Sequence, residues 1–203
     1  MAKDEKEQGS FTALWMVLAL IVAIGTWMSI TPEYLLKSLT SEREFVTQMS
    51  GQQADQWIFG KMMSVSASQV QGMSNAMKDN ATNKDTPTPL KAWIQERIVV
   101  TWLWGSLVVY RLNLLLLFWF ILMPFTIAMA IDGYSARMIR TFQFSSQSPF
   151  RHRMGVLIST VVMFGVGIWL VLPIPVPSMV APLAIVSIGW ATWMWVSNLQ
   201  KRI

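Results

Sequence analysis

The chain has 203 residues, of which 53% are hydrophobic and only 13% are charged. Soluble domains usually carry about a quarter charged residues, so this composition argues against an ordinary soluble protein and for membrane helices. The net charge of +5 indicates membrane topology first and nucleic-acid binding only second, because the basic residues are thinly spread and several lie beside apolar stretches.

The first apolar stretch is residues 11–30, which carry no charge and follow a mixed-charge start, residues 1–10. About 20 apolar residues in a helix suffice to cross a bilayer. A cleaved signal peptide has a basic leader and a shorter apolar core, so this stretch is predicted to be an uncleaved first span. Pro32 and Glu33 end it.

Residues 31–97 are polar and are predicted to be a helical segment outside the membrane. Ser41 and Glu44 have capping-box spacing, which predicts a helix start. Residues 78–86 are rich in Asn, Asp and Lys and indicate a loop. Thr88 followed by proline is a typical helix opening. The segment is therefore expected to hold one amphipathic helix, a loop and the start of another helix.

Residues 98–131 are apolar except for Arg111 and one asparagine, too long for one simple span and too short for two. Residues 112–131 suffice alone. A charge at mid-bilayer costs several kcal/mol, so Arg111 is expected at the lipid–water interface. Residues 98–110 then lie in the headgroups or continue the same helix beyond the membrane. Pro124 is a candidate kink.

The remaining chain divides into five short elements. Residues 132–153 form a basic loop with four arginines, and residues 154–172 form a third span. Residues 173–178 form a proline-rich turn, because three prolines cannot continue a helix. Residues 179–198 form a fourth span, and residues 199–203 are a basic tail.

Short basic loops stay in the cytoplasm, which fixes the predicted orientation. The arginine-rich loop and both chain ends are placed in the cytoplasm, and the proline turn and residues 31–97 in the periplasm. The predicted fold class is an all-α membrane protein of the bacterial inner membrane with four transmembrane helices, N-in/C-in, and a helical periplasmic segment between the first two.

Three features leave alternatives open. Asp132 followed by Gly133 is a helix end or a contact, and the helix end is favoured. Small residues in the last two spans allow close helix packing, which we expect within the chain (Gly165, Gly167, Gly189, Ala191). Methionines of the outer helix form either an adaptable binding surface or a stripe buried against a second helix (Met49, Met62, Met63, Met73, Met77).

No catalytic, metal or cofactor site is predicted. Cysteine is absent, which excludes disulfides and thiolate chemistry. His152, the only histidine, lies between two arginines and is expected to be a solvated loop residue. No phosphate-binding loop occurs, so the chain is not predicted to be an ATPase or any other enzyme.

Two stretches resemble a known family: MAIDGYSARMIRTFQFSSQSPFRHRM at residues 129–154, and LVLPIPVPSMVAPLAIVSIGWATWMWVSNLQKRI at residues 170–203. They are similar to inner-membrane proteins of integrating conjugative elements and conjugative plasmids, encoded beside the type IV coupling ATPase. The TraJ-type partner of the coupling protein in H-type plasmids belongs to that family. The resemblance implies an accessory role in DNA transfer and no catalytic residues.

The resulting hypothesis is a non-enzymatic inner-membrane subunit of a type IV secretion system for bacterial conjugation, forming a hetero-oligomer with the coupling ATPase. Membrane lipid is a second expected partner, and any DNA contact is indirect or weak. The basic loop is the predicted partner-binding surface (Asp132, Arg137, Arg140, Phe150, Arg151, His152, Arg153). Its arginines alternatively only fix topology. The alternative function is an entry-exclusion or surface-sensing protein that acts through its periplasmic segment.

Overall fold

The structure is a computed structural model, and it describes residues 17, 21–82, 87–143 and 148–199, without the side chains of Ser68, Asn80 and Ala81. All regular secondary structure in these ranges is helical. The chain divides into two compact units, which are described separately. The first contains Met1–Lys37 and Ser66–Gly105, and the second contains Ser38–Val65 and Ser106–Ile203.

Six helices follow one another in the described ranges. Prolines lie in the first turn of four of them, where the missing N–H has no intrahelical partner to lose. Ser148 additionally caps α5, since its hydroxyl accepts a hydrogen bond from the backbone N–H of Arg151. The helices are α1 (described over residues 21–29), α2 (Pro32–Ser50), α3 (Gln52–Thr82), α4 (Thr88–Phe142), α5 (Pro149–Val171) and α6 (Val180–Ser197).

The polar segment begins and divides differently from the sequence prediction. Ser41 and Glu44 lie inside α2, which already starts at Pro32, so the predicted helix start is wrong. A second correction is that two helices replace the single amphipathic one. Gly51 separates them at φ 85°, a left-handed conformation that glycine adopts without steric cost. Helix α3 then runs to Thr82, into the predicted loop, whose residues 83–86 lie outside the described part.

Helix α4 is 55 residues long and contains residues 98–110, so these residues belong to the same helix as the predicted span. It continues through Pro124 and past the predicted end at Asp132. Gly133 is buried against α6, where an added Cβ would lie 3.0 Å from the Trp193 carbonyl oxygen. This glycine therefore serves close packing instead of helix termination, and the predicted stop is wrong.

Residues 132–153 are consequently mostly helical, which corrects the predicted loop. Residues up to 142 belong to α4, and residues from 149 onward belong to α5. Residues 144–147 lie outside the described part. The arginines of this segment are thus held on helix ends, where their directions are fixed by the helical backbone.

Three helices in the described ranges are long and apolar enough to cross a membrane: α4, α5 and α6. The chain between α5 and α6 is non-helical, in agreement with the proline turn. Of the first predicted span, residues 11–30, only residue 17 and residues 21–30 are described, and 21–29 are helical. The residues preceding 11 and the basic tail from residue 200 onward lie outside the described part.

The second unit has a small buried core to which α2, α3, α4, α5 and α6 all contribute (Val46, Ile58, Met62, Tyr110, Leu114, Trp169, Ala181). Glycines allow close approach in this unit. A Cβ at Gly155 would lie 2.9 Å from the Ala191 carbonyl oxygen and the Trp195 nitrogen of α6. Gly165 and Gly167 instead face open space, so the expectation that they pack within the chain is wrong.

We predict that Gly155→Ala destabilises the α5–α6 pair by about 1–3 kcal/mol, because backbone atoms cannot move aside as a flexible side chain would. Gly165→Ala is the matched control on the same helix and should be neutral or slightly stabilising, since alanine favours helix. Thermal unfolding of the purified variants in detergent measures both. Equal unfolding temperatures for the two variants would contradict the close packing.

Candidate functional site

Arg111 of α4 is the largest fully buried side chain of the second unit, at 0% exposure. Its Nε donates to both carboxylate oxygens of Glu42 at 3.1 and 3.0 Å, and its Nη2 also pairs with this carboxylate. Nη1 donates to the carbonyl oxygens of Trp169 and Leu172, both at 2.5 Å, and Nη2 to that of Ile174 at 2.6 Å. All five guanidinium N–H groups are thereby used.

These carbonyl groups belong to the end of α5 and the start of the proline turn. The last carbonyls of a helix have no intrahelical donor, and a cation near them is favourable because of the helix dipole. Prolines at 173, 175 and 177 cannot supply N–H groups either. Arg111 therefore supplies the donors that this turn lacks. Just before α6, the Ser178 Oγ donates a 3.3 Å hydrogen bond to the backbone carbonyl oxygen of Glu42.

The sequence placed Arg111 at the membrane interface because an unpaired charge in lipid is costly. In the structure this cost is avoided in another way. The Arg111 guanidinium is buried within the protein, where it pairs with Glu42 and bonds to the three carbonyl oxygens. Glu42 precedes Arg111 by 69 residues, so local sequence gives no indication of the pairing. Glu42 is a functional candidate that sequence reasoning missed.

A second polar contact lies beside the first. Arg43 donates to Asp55 from Nη2 at 2.7 Å and from Nε at 3.2 Å, and its guanidinium lies 3.8 Å from the centre of the Phe59 ring. The Asp55 hydrogen bond raises the pKa of Arg43, so the group stays charged. The Tyr110 hydroxyl donates to Asp55 at 3.1 Å. The consecutive pairs Glu42–Arg43 and Tyr110–Arg111 thus join α2 to α3, α4 and the proline turn.

Three of the predicted partner-binding residues contact α6 or the residue that follows it. Asp132 accepts a 2.6 Å hydrogen bond from Trp193 Nε1. Arg140 Nη1 donates to the Ser197 carbonyl at 3.3 Å and to Asn198 Oδ1 at 3.1 Å. His152 lies in α5 beside Trp195, with ring centres 6.4 Å apart, so it is a half-exposed helix residue and not the expected loop residue.

The other four predicted residues differ in exposure. Phe150 is 70% exposed, Arg151 and Arg153 are exposed, and Arg137 is half-buried. Phe150, His152 and Arg153 line an open cavity of about 610 Å³. Sequence reasoning missed the exposed apolar residues at the end of α4, which alternate with its arginines (Tyr134, Met138, Ile139, Phe142). We call Phe150, Arg151 and Arg153, which lie together at the start of α5, the basic–aromatic surface.

Within the described residues no cluster of three His, Asp or Glu side chains could hold a metal ion. The methionines divide. Met62 is buried in the core, whereas Met49 and Met63 are exposed and Met73 lines a cavity of the first unit. Neither a single buried stripe nor a single exposed methionine surface therefore describes them.

The described residues thus form a helical protein in which three helices are able to cross a membrane, and the buried Arg111 links α4 to α2, the end of α5 and the proline turn. The family comparison makes the class specific: the chain belongs to the DtrJ-like family, described as IncC plasmid conjugative DNA transfer protein DtrJ-like, which matches residues 35–200. The match includes the Arg111–Glu42 and Arg43–Asp55 ion pairs and the basic–aromatic surface. The sequence resemblance to conjugative DNA-transfer proteins is thus confirmed. No curated protein and no solved structure matches the chain.

We predict that Arg111→Ala lowers the free energy of unfolding by about 3–5 kcal/mol, because it leaves the Glu42 carboxylate buried without its cation. Replacing both partners with methionine removes the uncompensated charge, so the double variant should lose less than the sum of the two single changes. Thermal unfolding and protein abundance in isolated membranes measure the effect. Lys61→Ala, at an exposed cation of α3, is the control. If Arg111→Ala were as stable as the wild type, the stabilising role given to the Arg111–Glu42 pair would be contradicted.

Proposed function

We propose that this chain is a non-enzymatic inner-membrane subunit of a conjugative type IV secretion apparatus that binds or anchors the coupling ATPase. Membership of a conjugative DNA-transfer family supports the process. Three helices of membrane-spanning length and composition support the location. The observation that carries the partner assignment is the basic–aromatic surface, because exposed aromatic rings beside arginines are the residue types that dominate protein interfaces.

The proposed topology has four spans, with residues 11–30 as the first and both chain ends in the cytoplasm. Arg111 and Glu42 both bond to the segment linking α5 to α6, so Arg111 in the middle of α4, the part of α2 around Glu42 and the proline turn lie together within the second unit. A four-span arrangement requires these parts to be on the same side. The contacts therefore support placing Arg111, Glu42 and the proline turn on one side of the membrane. We propose that this side is the periplasm and that the basic–aromatic surface is cytoplasmic, because short basic segments stay in the cytoplasm.

The partner is proposed to contribute acidic side chains. Arg151 and Arg153 are the third and fifth residues of α5, and the helix dipole adds positive potential at this end of the helix. Carboxylates form strong, bidentate pairs with arginine. Phe150 adds an apolar anchor beside the cavity that it lines with Arg153. Asp132 and Arg140 are excluded from direct contact in this proposal, because they already bond to α6.

We predict that the double variant Arg151→Glu, Arg153→Glu loses most coupling ATPase from mild-detergent purifications and lowers DNA transfer about tenfold or more, since 1.4 kcal/mol of lost affinity is a factor of ten. Mass spectrometry of the purified complex and mating frequency measure the two effects. The matched control is Lys61→Glu, Lys78→Glu, which makes the same charge change at exposed residues of α3.

Two results would contradict this proposal. One is a wild-type protein, purified from cells carrying its native element, that never brings the ATPase with it. The other is a charge-reversed protein that inserts normally and retains both the ATPase and DNA transfer. Membrane abundance is measured for every variant, so that a failure of insertion is separated from a loss of binding.

Entry exclusion or surface sensing is the second candidate function. Several apolar side chains of α3 are exposed although this helix is not a candidate span (Trp57, Met63, Val65, Val70). Exposed apolar residues on a polar segment indicate a recognition surface. We predict that exchanging residues 31–97 between relatives changes the excluded mating partner if this candidate is right. Reduced DNA transfer with unchanged exclusion would oppose it.

A further inference from the structure

The first unit contains an open cavity of about 690 Å³ bounded by α1, α3 and α4. Three tryptophans line it, Trp27, Trp93 and Trp102, together with apolar side chains that include Met73 and Ile98. This volume lies in the range of small-molecule sites. The tryptophans and the adjoining apolar part of α4 are the features found where a membrane protein meets lipid headgroups.

Arg97 is the charged group of this cavity and is only 5% exposed. Its Nη1 caps the end of α1 by donating to the carbonyl oxygens of Trp27 at 2.5 Å and Met28 at 3.0 Å, and its Nη2 pairs with Glu96 at 2.6 Å. Its Nε has no acceptor among the described residues. The Nε1 of Trp102 is also buried and lacks an acceptor in the described part of the chain.

Two buried donors without acceptors beside an apolar wall specify the chemistry of an occupant. Leaving such groups unpaired is costly, so the occupant should supply oxygen acceptors as well as apolar surface. A partner helix supplies apolar side chains, but its backbone oxygens are already bonded internally. A phospholipid supplies both parts, since its acyl chain is apolar and its ester and phosphate oxygens accept hydrogen bonds.

We propose that this cavity binds one phospholipid, with an acyl chain against Trp93, Ile98 and Met73 and a headgroup oxygen at the Arg97 and Trp102 donors. The site would fix the end of α1 against α4 through a lipid of the surrounding membrane. It does not depend on the coupling ATPase, but it rests on the membrane location given under the proposed function.

Two leucine substitutions test the site. Gly72 lines the cavity and has no atom within 4 Å of an added Cβ, so Gly72→Leu fills the space without a clash at the backbone. Gly60→Leu is the matched control, because Gly60 lies on the same helix, also has no atom within 4 Å of an added Cβ and is not one of the residues that line the cavity. Both changes replace a helical glycine with a better helix former, so neither should impair folding.

The readout is native mass spectrometry of full-length protein purified in detergent and supplied with a synthetic phosphatidylglycerol of known mass. We expect one bound phospholipid per wild-type and Gly60→Leu chain, and about tenfold lower occupancy for Gly72→Leu. Trp102→Phe removes one unpaired donor and should weaken binding about threefold to tenfold without lowering the unfolding temperature.

A wild-type protein that stays in carbonate-washed membranes but binds no phospholipid would overturn the lipid site and leave the membrane location intact. Equal occupancy in Gly72→Leu and Gly60→Leu would overturn the assignment to this cavity. Unchanged binding by Trp102→Phe would overturn the headgroup position. Extraction of the protein by carbonate would instead contradict the membrane location on which the inference rests.

Discussion

The buried pairing of Arg111 with Glu42 is the interaction on which the second unit depends. A single guanidinium neutralises one carboxylate and supplies the donors that the end of α5 and the proline turn cannot find in their own backbones. Burial makes this arrangement strict, since removing either partner leaves an uncompensated charge. The same contacts bring the part of α2 around Glu42 and the connection from α5 to α6 together within the unit.

Close helix packing is the second interaction that holds the helices of this unit together. Gly133 of α4 and Gly155 of α5 bring both helices against the backbone of α6. The hydrogen bonds of Asp132 and Arg140 then hold the far end of α4 to the last residues of α6. Asp132 and Arg140 thus bond to residues of the same unit, whereas Phe150, Arg151 and Arg153 are exposed members of the predicted partner surface at the start of α5. The proposed function follows from this division.

Much of the helical layout could be predicted from the sequence, because hydrophobic length and proline position are local signals. They located the stretches that form α4, α5 and α6 and the turn at residues 173–178. The wrong predictions have a common cause: each concerns a residue whose structural role depends on a partner distant in sequence. From local sequence Gly133 is predicted to end a helix, whereas in the structure it allows close packing against Trp193. From local sequence Arg111 is predicted to be an interfacial cation, because its partner Glu42 is distant in the chain. Likewise, the sequence of the basic segment does not show which of its residues bond to α6.

The most direct test of the account is side-specific labelling, which the absence of native cysteine permits. Single cysteines would replace Met179 beside the proline turn, Lys61 on α3 and Arg151 on the basic–aromatic surface, all exposed positions. The account predicts that a membrane-impermeant maleimide labels the first two from the periplasm and Arg151→Cys only after the inner membrane is opened. Labelling of Arg151→Cys from the periplasm, or protection of Met179→Cys there, would contradict the proposed topology and the ATPase-facing surface with it.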